Sequence, residues 1–403
     1  MSPRSDPRAE LDRIASKESR TVIGLMSGTS ADGITACALR LAGFYTNTRP
    51  VLLGFRTYPY SKALRERIFS LFDPETARLD EVCAMNFTLG KELARASRSL
   101  ADSINLSTDQ IDAIGSHGQT IYHFPKPSGS DQTGSSLQIG ELAVIAEITG
   151  VMTIGDFRKR DLAAGGEGAP LSPYVDFILY RNQEIGIAIQ NIGGIANVAY
   201  LPPKCSEDEV IAFDTGPGNM IVDGLVNSYT RGESNYDADG AIAARGHVDK
   251  GLLDELLEDP YFSRPPPKST GRESFGARYV GRYLHSVMQR GISREDAIAT
   301  ATMLTVESIA RAYEDFVRTK GPLDVVYLAG GGAKNSTMVN WLARRMPESR
   351  IRHFDELGLP SEAREAAYMA ILANEFIMGH TSNLPSATGA ERKVILGTLV
   401  PGS

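Results

Sequence analysis

Cysteine is scarce in this chain. Cys37, Cys83 and Cys205 are the three among 403 residues, far apart and with no Cys-x-x-Cys pair. Such usage excludes a disulfide framework and the common zinc sites, and it fits a reducing compartment. Runs of positive charge are also missing. Nothing exceeds Arg158-Lys-Arg160 or Arg344-Arg345, and the formal net charge is −7, which argues against nucleic acid as a partner. The apolar run 185–201 is broken by Gln190, Asn191, Gly193, Gly194 and Asn197, so no membrane span is expected there. Residues 1–20 lack the apolar centre of a secretory signal, and Asp6, Glu10, Asp12 and Glu18 argue against a mitochondrial presequence. A cytoplasmic location is expected. No Gly-x-x-x-x-Gly-Lys-Ser/Thr occurs, which excludes a P-loop, and no Gly-x-Gly-x-x-Gly follows a strand pattern, which removes the main support for a dinucleotide enzyme.

What is present is a pair of small-residue loops about half the chain apart. The first is Thr21-Val-Ile-Gly-Leu-Met-Ser-Gly-Thr-Ser-Ala-Asp-Gly33, followed by apolar residues 34–41. The second is Val210-Ile-Ala-Phe-Asp-Thr-Gly-Pro-Gly-Asn219. Each runs from apolar residues into a turn of Gly, Ser or Thr that contains one Asp. Such turns bring backbone N–H groups and hydroxyls close to a polyanion, while the carboxylate can hold Mg²⁺ or take a proton. Two loops of this kind point to two lobes gripping a nucleoside triphosphate, and hence to phosphoryl transfer.

The organisation of the chain agrees. Strands are expected at 22–26, 34–41 and 51–58, helices at 61–72 and 81–103, and a strand at 112–115 running into Ser116-His-Gly-Gln-Thr120. A Gly, Ser and Pro-rich loop is expected at 125–136, a helix at 141–149, and a strand at 151–154 ending in Asp156-Phe-Arg158. The plan then repeats, with strands at 185–190, 195–201 and 210–213. A helix from Ser293 places Met303, Val306, Ile309, Tyr313 and Phe316 on one face, and a strand at 323–329 enters Gly330-Gly-Gly332. Asn335 or Ser336 caps the next helix. The expected fold class is α/β with two similar lobes. The expected division is a disordered arm at 1–20, lobe I at 21–180 and lobe II at 181–384, with the C-terminal segment 385–403 either joined to lobe I or separate from it. His117, Gln119, Asp156 and Arg158 fall at strand ends, where open α/β sheets place ligands.

These motifs together resemble the anhydro-N-acetylmuramic acid kinase family, including its relative levoglucosan kinase. The resemblance rests on Gly24-Leu-Met-Ser-Gly-Thr-Ser-Ala-Asp-Gly33, Ser116-His-Gly-Gln-Thr120, Asp156-Phe-Arg158 and Ala163-Ala-Gly-Gly-Glu-Gly-Ala-Pro170. It continues through Gln190-Asn-Ile-Gly-Gly-Ile-Ala-Asn197, Phe213-Asp-Thr-Gly-Pro-Gly-Asn219, Pro265-Pro-Pro-Lys-Ser-Thr-Gly-Arg-Glu273, Gly330-Gly-Gly332 and Asn383-Leu-Pro-Ser-Ala-Thr-Gly-Ala390. It implies two RNase H-like lobes of the actin, hexokinase and heat-shock chaperone ATPase type with a nucleotide cleft between them.

It further implies that water cleaves a 1,6-anhydro bridge while O6 is phosphorylated, with ATP and Mg²⁺ as the other requirements. Asp214 matches the general base. Gly28, Thr29, Ser30, Ala31, Asp32, Gly33, Ile34 and Thr35 match the loop around the β- and γ-phosphates, with Asp32 and Glu365 as metal-associated carboxylates. Ala31 stands where the family more often has Met or Leu. Gly216, Gly218 and Asn219 match further nucleotide contacts, and Gly330, Gly331 and Gly332 would flank adenine and ribose. His117, Gln119, Asp156 and Arg158 are expected on the sugar; Asn191, Gly193 and Gly194 are assigned there too, although they could equally reach phosphate. Lys268 and Arg272 would clamp phosphate or stand exposed.

The substrate implied is anhydro-N-acetylmuramic acid, with levoglucosan as the alternative. A chaperone-type ATPase and a non-catalytic sugar- or ATP-binding homologue are the rivals from other classes. The first lacks a visible peptide-binding module, and the second is disfavoured by Asp32, Asp214 and the glycine loops. A homodimer stays open.

Overall fold

A computed structural model of the chain describes residues 6–124 and 134–402. The chain divides into two compact units, one of Met1–Leu179 with Glu362–Ser403 and one of Tyr180–Ser361. Most of the expected 125–136 loop lies outside the described residues.

In the first unit, β1 (Ser19–Ser27), β2 (Gly33–Ala42) and β3 (Arg49–Pro59) form an antiparallel meander. β1 and β2 are buried along most of their length, which explains their continuous apolar runs. β4 (Ala113–Phe124) joins the other side of β1 in parallel, and β5 (Ser135–Ile139) folds back on β4. β6 (Thr153–Gly155) lies parallel to β4 and is flanked by the terminal strand Thr398–Val400.

The second unit repeats the plan. β7 (Ile187–Ile192), β8 (Ile195–Leu201) and β9 (Ile211–Pro217) form a meander, β10 (Val325–Ala329) is parallel to β7, and β11 (Arg350–His353) is parallel to β10. Among the described residues the first sheet runs through the order β6-β4-β1-β2-β3 and the second through β11-β10-β7-β8-β9, which is one topology used twice. This duplicated arrangement makes the chain an α/β protein of two units built on one plan.

The helix Arg364–Ile377 belongs to the first unit, so the return to that unit starts at Glu362, ahead of the expected 385. Its seat is glycine. Gly24 on β1 and Gly115 on β4 are register partners, and a Cβ on either would meet the helix backbone, 1.8 Å from Ala366 O and 2.2 Å from Met369 O. Ala366, Ala370 and Ala373 complete this close approach. The N-terminal arm departs from expectation as well. Pro7–Ala15 is helical because Asp6 caps the Arg8 N–H at 3.0 Å, Pro7 opens the first turn and Ile14 is fully buried.

In the second unit the expected apolar helix is Arg294–Ala312, after which the chain widens into a π turn at Tyr313–Val317. Val306, Ile309 and Tyr313 are buried in the core over the sheet. The Tyr313 hydroxyl donates to Gln190 Oε1 at 2.7 Å.

Candidate active site

The first small-residue loop leaves the end of β1. Its anchor is Ser27, whose hydroxyl meets Gln119 Oε1 at 2.6 Å and accepts from the Tyr60 hydroxyl at 2.9 Å. Gln119 Nε2 donates to Gly28 O at 3.1 Å and to Thr120 O at 3.2 Å. The buried amide of Gln119 therefore holds the loop in place instead of reaching outward for a sugar. Above this anchor Thr29, Ser30 and Asp32 are exposed, while Ala31 is buried at a left-handed φ of 48° against a cluster that includes Ile68, Leu71, Met85 and Leu89. Ile34 is a core residue and Thr35 pairs with Thr57 across the strands at 2.9 Å, so neither side chain lies at the loop tip. Arg65, which sequence reasoning missed, ties the tip down: it pairs with Asp32 at 2.8 Å and donates to Ser30 O at 3.4 Å.

His117 lies within β4, inside the strand and not at the end expected for it, and it meets Arg158 from the first turn of the helix Phe157–Ala163 that follows β6. Arg158 Nε–H donates to His117 Nε2 at 3.1 Å and Arg158 Nη1 donates to Gly168 O at 2.9 Å. Nε2 is therefore an acceptor, and the imidazole proton sits on Nδ1, which faces Gly118 O at 3.2 Å. Burial, then the Arg158 charge, push His117 down to about 3. Burial also lowers Arg158, to about 10, against the opposing pull of Glu365 and Asp161 nearby. Asp156 sits at a left-handed φ of 56° before the helix Phe157–Ala163 and pairs with Lys159 at 2.7 Å. Glu365 is exposed near the start of its helix. Among the described residues no group of three or more His, Cys, Asp or Glu side chains is arranged to hold a metal ion.

The motifs Ala163–Pro170 and Asn383–Ala390 share one buried carboxylate. Asp161 accepts from Asn383 Nδ2, the Thr388 hydroxyl and the Gly168 N–H, each at 2.8 Å. These two stretches are one structural joint beneath Arg158's partner Gly168.

In the second unit the glycine loops come together. The Gly218 N–H donates to Gly194 O at 2.9 Å and the Asn219 N–H to Gly193 O at 2.7 Å. Any side chain at 218 would strike Gly193 O, 2.2 Å from an added Cβ. Asn219 reaches Ile192 O at 3.2 Å and lies beside Gly331 and Gly332, while Asn191 lies beside Gly330. Asn191, Gly193 and Gly194 are thus grouped with the residues expected on the nucleotide. Asn335 caps the helix Ser336–Arg345, accepting from the Met338 N–H at 2.9 Å.

Asp214 lies within β9, paired with Asn197 and two residues before Gly216. Its carboxylate Oδ2 accepts the Thr270 N–H at 2.9 Å, its own N–H donates to Lys268 O at 3.1 Å, and its carbonyl accepts from the Tyr261 hydroxyl at 2.7 Å. Lys268 is neither an exposed charge nor placed to clamp phosphate: it is 5% exposed, with Nζ donating to Tyr261 O and Phe262 O at 3.1 Å each. Arg272 opens the short helix Arg272–Phe275. One turn beyond Asn219, half-buried Asp223 has no side-chain partner among the described residues, and burial pushes it up to about 7.

A family model described as anhydro-N-acetylmuramic acid kinase matches residues 20–402. The chain is 47% identical over 389 residues to the anhydro-N-acetylmuramic acid kinase of Caldanaerobacter subterraneus subsp. tengcongensis, covering 96% of this chain and 98% of that protein. It is 41% identical over 379 residues to the protein of that name from Clostridioides difficile, covering 94% and 98%. It is 42% identical over 380 residues to that from Bacillus thuringiensis subsp. konkukian, with the same coverage.

Proposed function

This chain belongs to the anhydro-N-acetylmuramic acid kinase family, and from that premise we propose that it converts 1,6-anhydro-N-acetylmuramic acid, water and ATP into N-acetylmuramic acid 6-phosphate and ADP. It is an ATP-dependent carbohydrate kinase, acting on a small-molecule sugar. In this reading Asp214 takes a proton from a water attacking C1, the C1–O6 bond breaks, and O6 receives the γ-phosphoryl group. A carboxylate general base contributes ~10²–10⁴-fold, and the rest of the catalysis is positioning and charge neutralisation.

The observation that carries the reading is the setting of Asp214. One carboxylate oxygen is held by the Thr270 N–H, and the backbone on both sides of the side chain is pinned. In the first unit, exposed Thr29 and Ser30 and the backbone of residues 28–33 take the β- and γ-phosphates. In the second, Gly216, Gly218, Asn219, Gly330, Gly331 and Gly332 take the rest of the nucleotide, joined by Asn191, Gly193 and Gly194. Arg158, oriented by His117, and Asp156 take the sugar. Asp32 and Glu365 are exposed carboxylates, the hard oxygen donors that Mg²⁺ accepts one or two at a time beside phosphate oxygens. When bound, the ion neutralises phosphate charge. The cytoplasm is the proposed location; among the described residues no helix is long and apolar enough to cross a membrane.

The test is ATP consumption with anhydro-N-acetylmuramic acid and with levoglucosan, in oxygen-18 water, followed by mass analysis. The label is expected at C1 of a 6-phosphorylated amino sugar. Turnover with levoglucosan alone would move the substrate to the other branch, and product without the label would refute water attack.

A further inference from the structure

Residues 264–271 cross the second unit without helix or strand, so no regular hydrogen-bond ladder holds them. They nevertheless supply both partners that fix Asp214 from this side, the Lys268 carbonyl and the Thr270 N–H. What holds this strap is the Lys268 side chain. Its ammonium is folded inward against three rings from separate elements: Tyr261 and Phe316 at 4.8 Å and Phe213 at 5.8 Å. Two carbonyl oxygens, of Tyr261 and Phe262, accept its protons. Phe213 is the chain neighbour of Asp214, Tyr261 donates to the Asp214 carbonyl, and Phe316 comes from the π turn. A buried cation is expensive unless well satisfied, and here carbonyls and ring faces do the satisfying. Lys268, Thr270 and Tyr261, which fix Asp214 from outside its own strand pair, therefore touch this cage or belong to the strap it locks.

We propose that Lys268 is a positioning residue for the general base: its caged ammonium locks the strap, and the strap aims the Asp214 carboxylate. The inference rests on the reading of Asp214 given above. The charges around Lys268 are Asp315 on the π turn, Arg264 on the strap and Asp214 itself. Burial lowers the ammonium to about 8, and the carboxylates oppose that shift. The lysine thus adds a positive charge on the side of Asp214 facing the strap, which favours the ionised base.

The test uses the full chain with ATP and anhydro-N-acetylmuramic acid. Lys268→Met keeps the packing volume and removes the charge. It is expected to lower kcat ~10- to 100-fold, to leave the directly measured nucleotide affinity unchanged, and to move the acid limb of the kcat profile upward. Phe316→Leu opens one wall of the cage and keeps the charge. It is expected to lower kcat to a smaller extent with the acid limb in place, and it decides the question should Lys268→Met fail to fold. Lys268→Arg, which keeps a cation, is expected to restore the limb to its original position. Full kcat in Phe316→Leu, or a Lys268→Met loss that merely follows the folded fraction with an unmoved limb, would overturn the proposal. Asp214→Asn measured alongside separates the premises: normal turnover there refutes the base assignment itself.

Discussion

His117 Nε2 accepts the Nε–H of Arg158 at 3.1 Å, so the histidine serves as a neutral acceptor and not as an acid. With its pKa down at about 3, the ring stays uncharged in the fold, whereas the unfolded chain takes up a proton below its ordinary value near 6.5. The stability this provides is complete above about pH 6.5 and is lost as pH falls toward 3. Nitrogen-15 spectra are expected to show His117 neutral, with the proton on Nδ1, from pH 8 down to about pH 4. His117→Phe leaves the Arg158 Nε–H without its acceptor and is expected to raise KM for the sugar about tenfold, with KM for ATP unchanged. A charged imidazole at pH 6 would contradict the pairing.

Asp214→Asn is expected to fold, to bind nucleotide normally and to lose at least ~10²-fold in kcat. Asparagine can still accept the Thr270 N–H but cannot take the proton. Near-normal kcat would assign the base to another group.

Asp223 is expected to set a slope in stability. Its pKa of about 7 in the fold lies above the unfolded value, so the native state keeps a proton that the unfolded chain releases. Stability from this group is complete below about pH 4 and declines as pH rises toward 7. Asp223→Asn removes the penalty. The variant should melt roughly 2–4 °C higher than the parent at about pH 8 and no higher at about pH 4. An equal gain at both pH values would show that ionisation is not the cause.

Asp161→Ala strands two donors, Asn383 Nδ2–H and the Gly168 N–H, while the Thr388 hydroxyl can turn to Leu384 O at 3.2 Å. A buried unsatisfied donor costs about 1–3 kcal/mol, so a loss of about 2 kcal/mol or more is expected. Hydrogen exchange should rise together in Ala163–Pro170 and Asn383–Ala390. Loosening confined to one stretch would show that the carboxylate does not join them.

The repeated meander was legible because the buried strands carry apolar runs that turn residues interrupt, and such patterns are local. The glycine loops were legible for the same reason, and their mutual packing follows from small residues at Gly193, Gly194 and Gly218. Side-chain roles decided by distant partners were not legible. The rings around Lys268 come from positions 213, 261 and 316, so the sequence shows only a lysine in a Pro-rich stretch. Gln119 reads as a strand-end polar residue until its anchoring of Gly28 is seen. The stretch Asn383–Ala390 was visible as a motif, but Asp161, which explains it, lies more than two hundred positions away. The helix at Pro7–Ala15 carries a local signal in the cap Asp6 and in Pro7, but what fixes it is the burial of Ile14, which the sequence alone does not show.

The seat of helix Arg364–Ile377 on Gly24 and Gly115 has a consequence for biosynthesis. During translation the whole stretch Tyr180–Ser361 emerges before the helix that covers the first sheet. Domains fold as units while the chain grows, so the later-encoded unit can reach its native state first, while the earlier one waits on the ribosome with a bare glycine strip. A messenger cut short upstream of codon 362 would therefore yield a folded middle and an unfinished beginning.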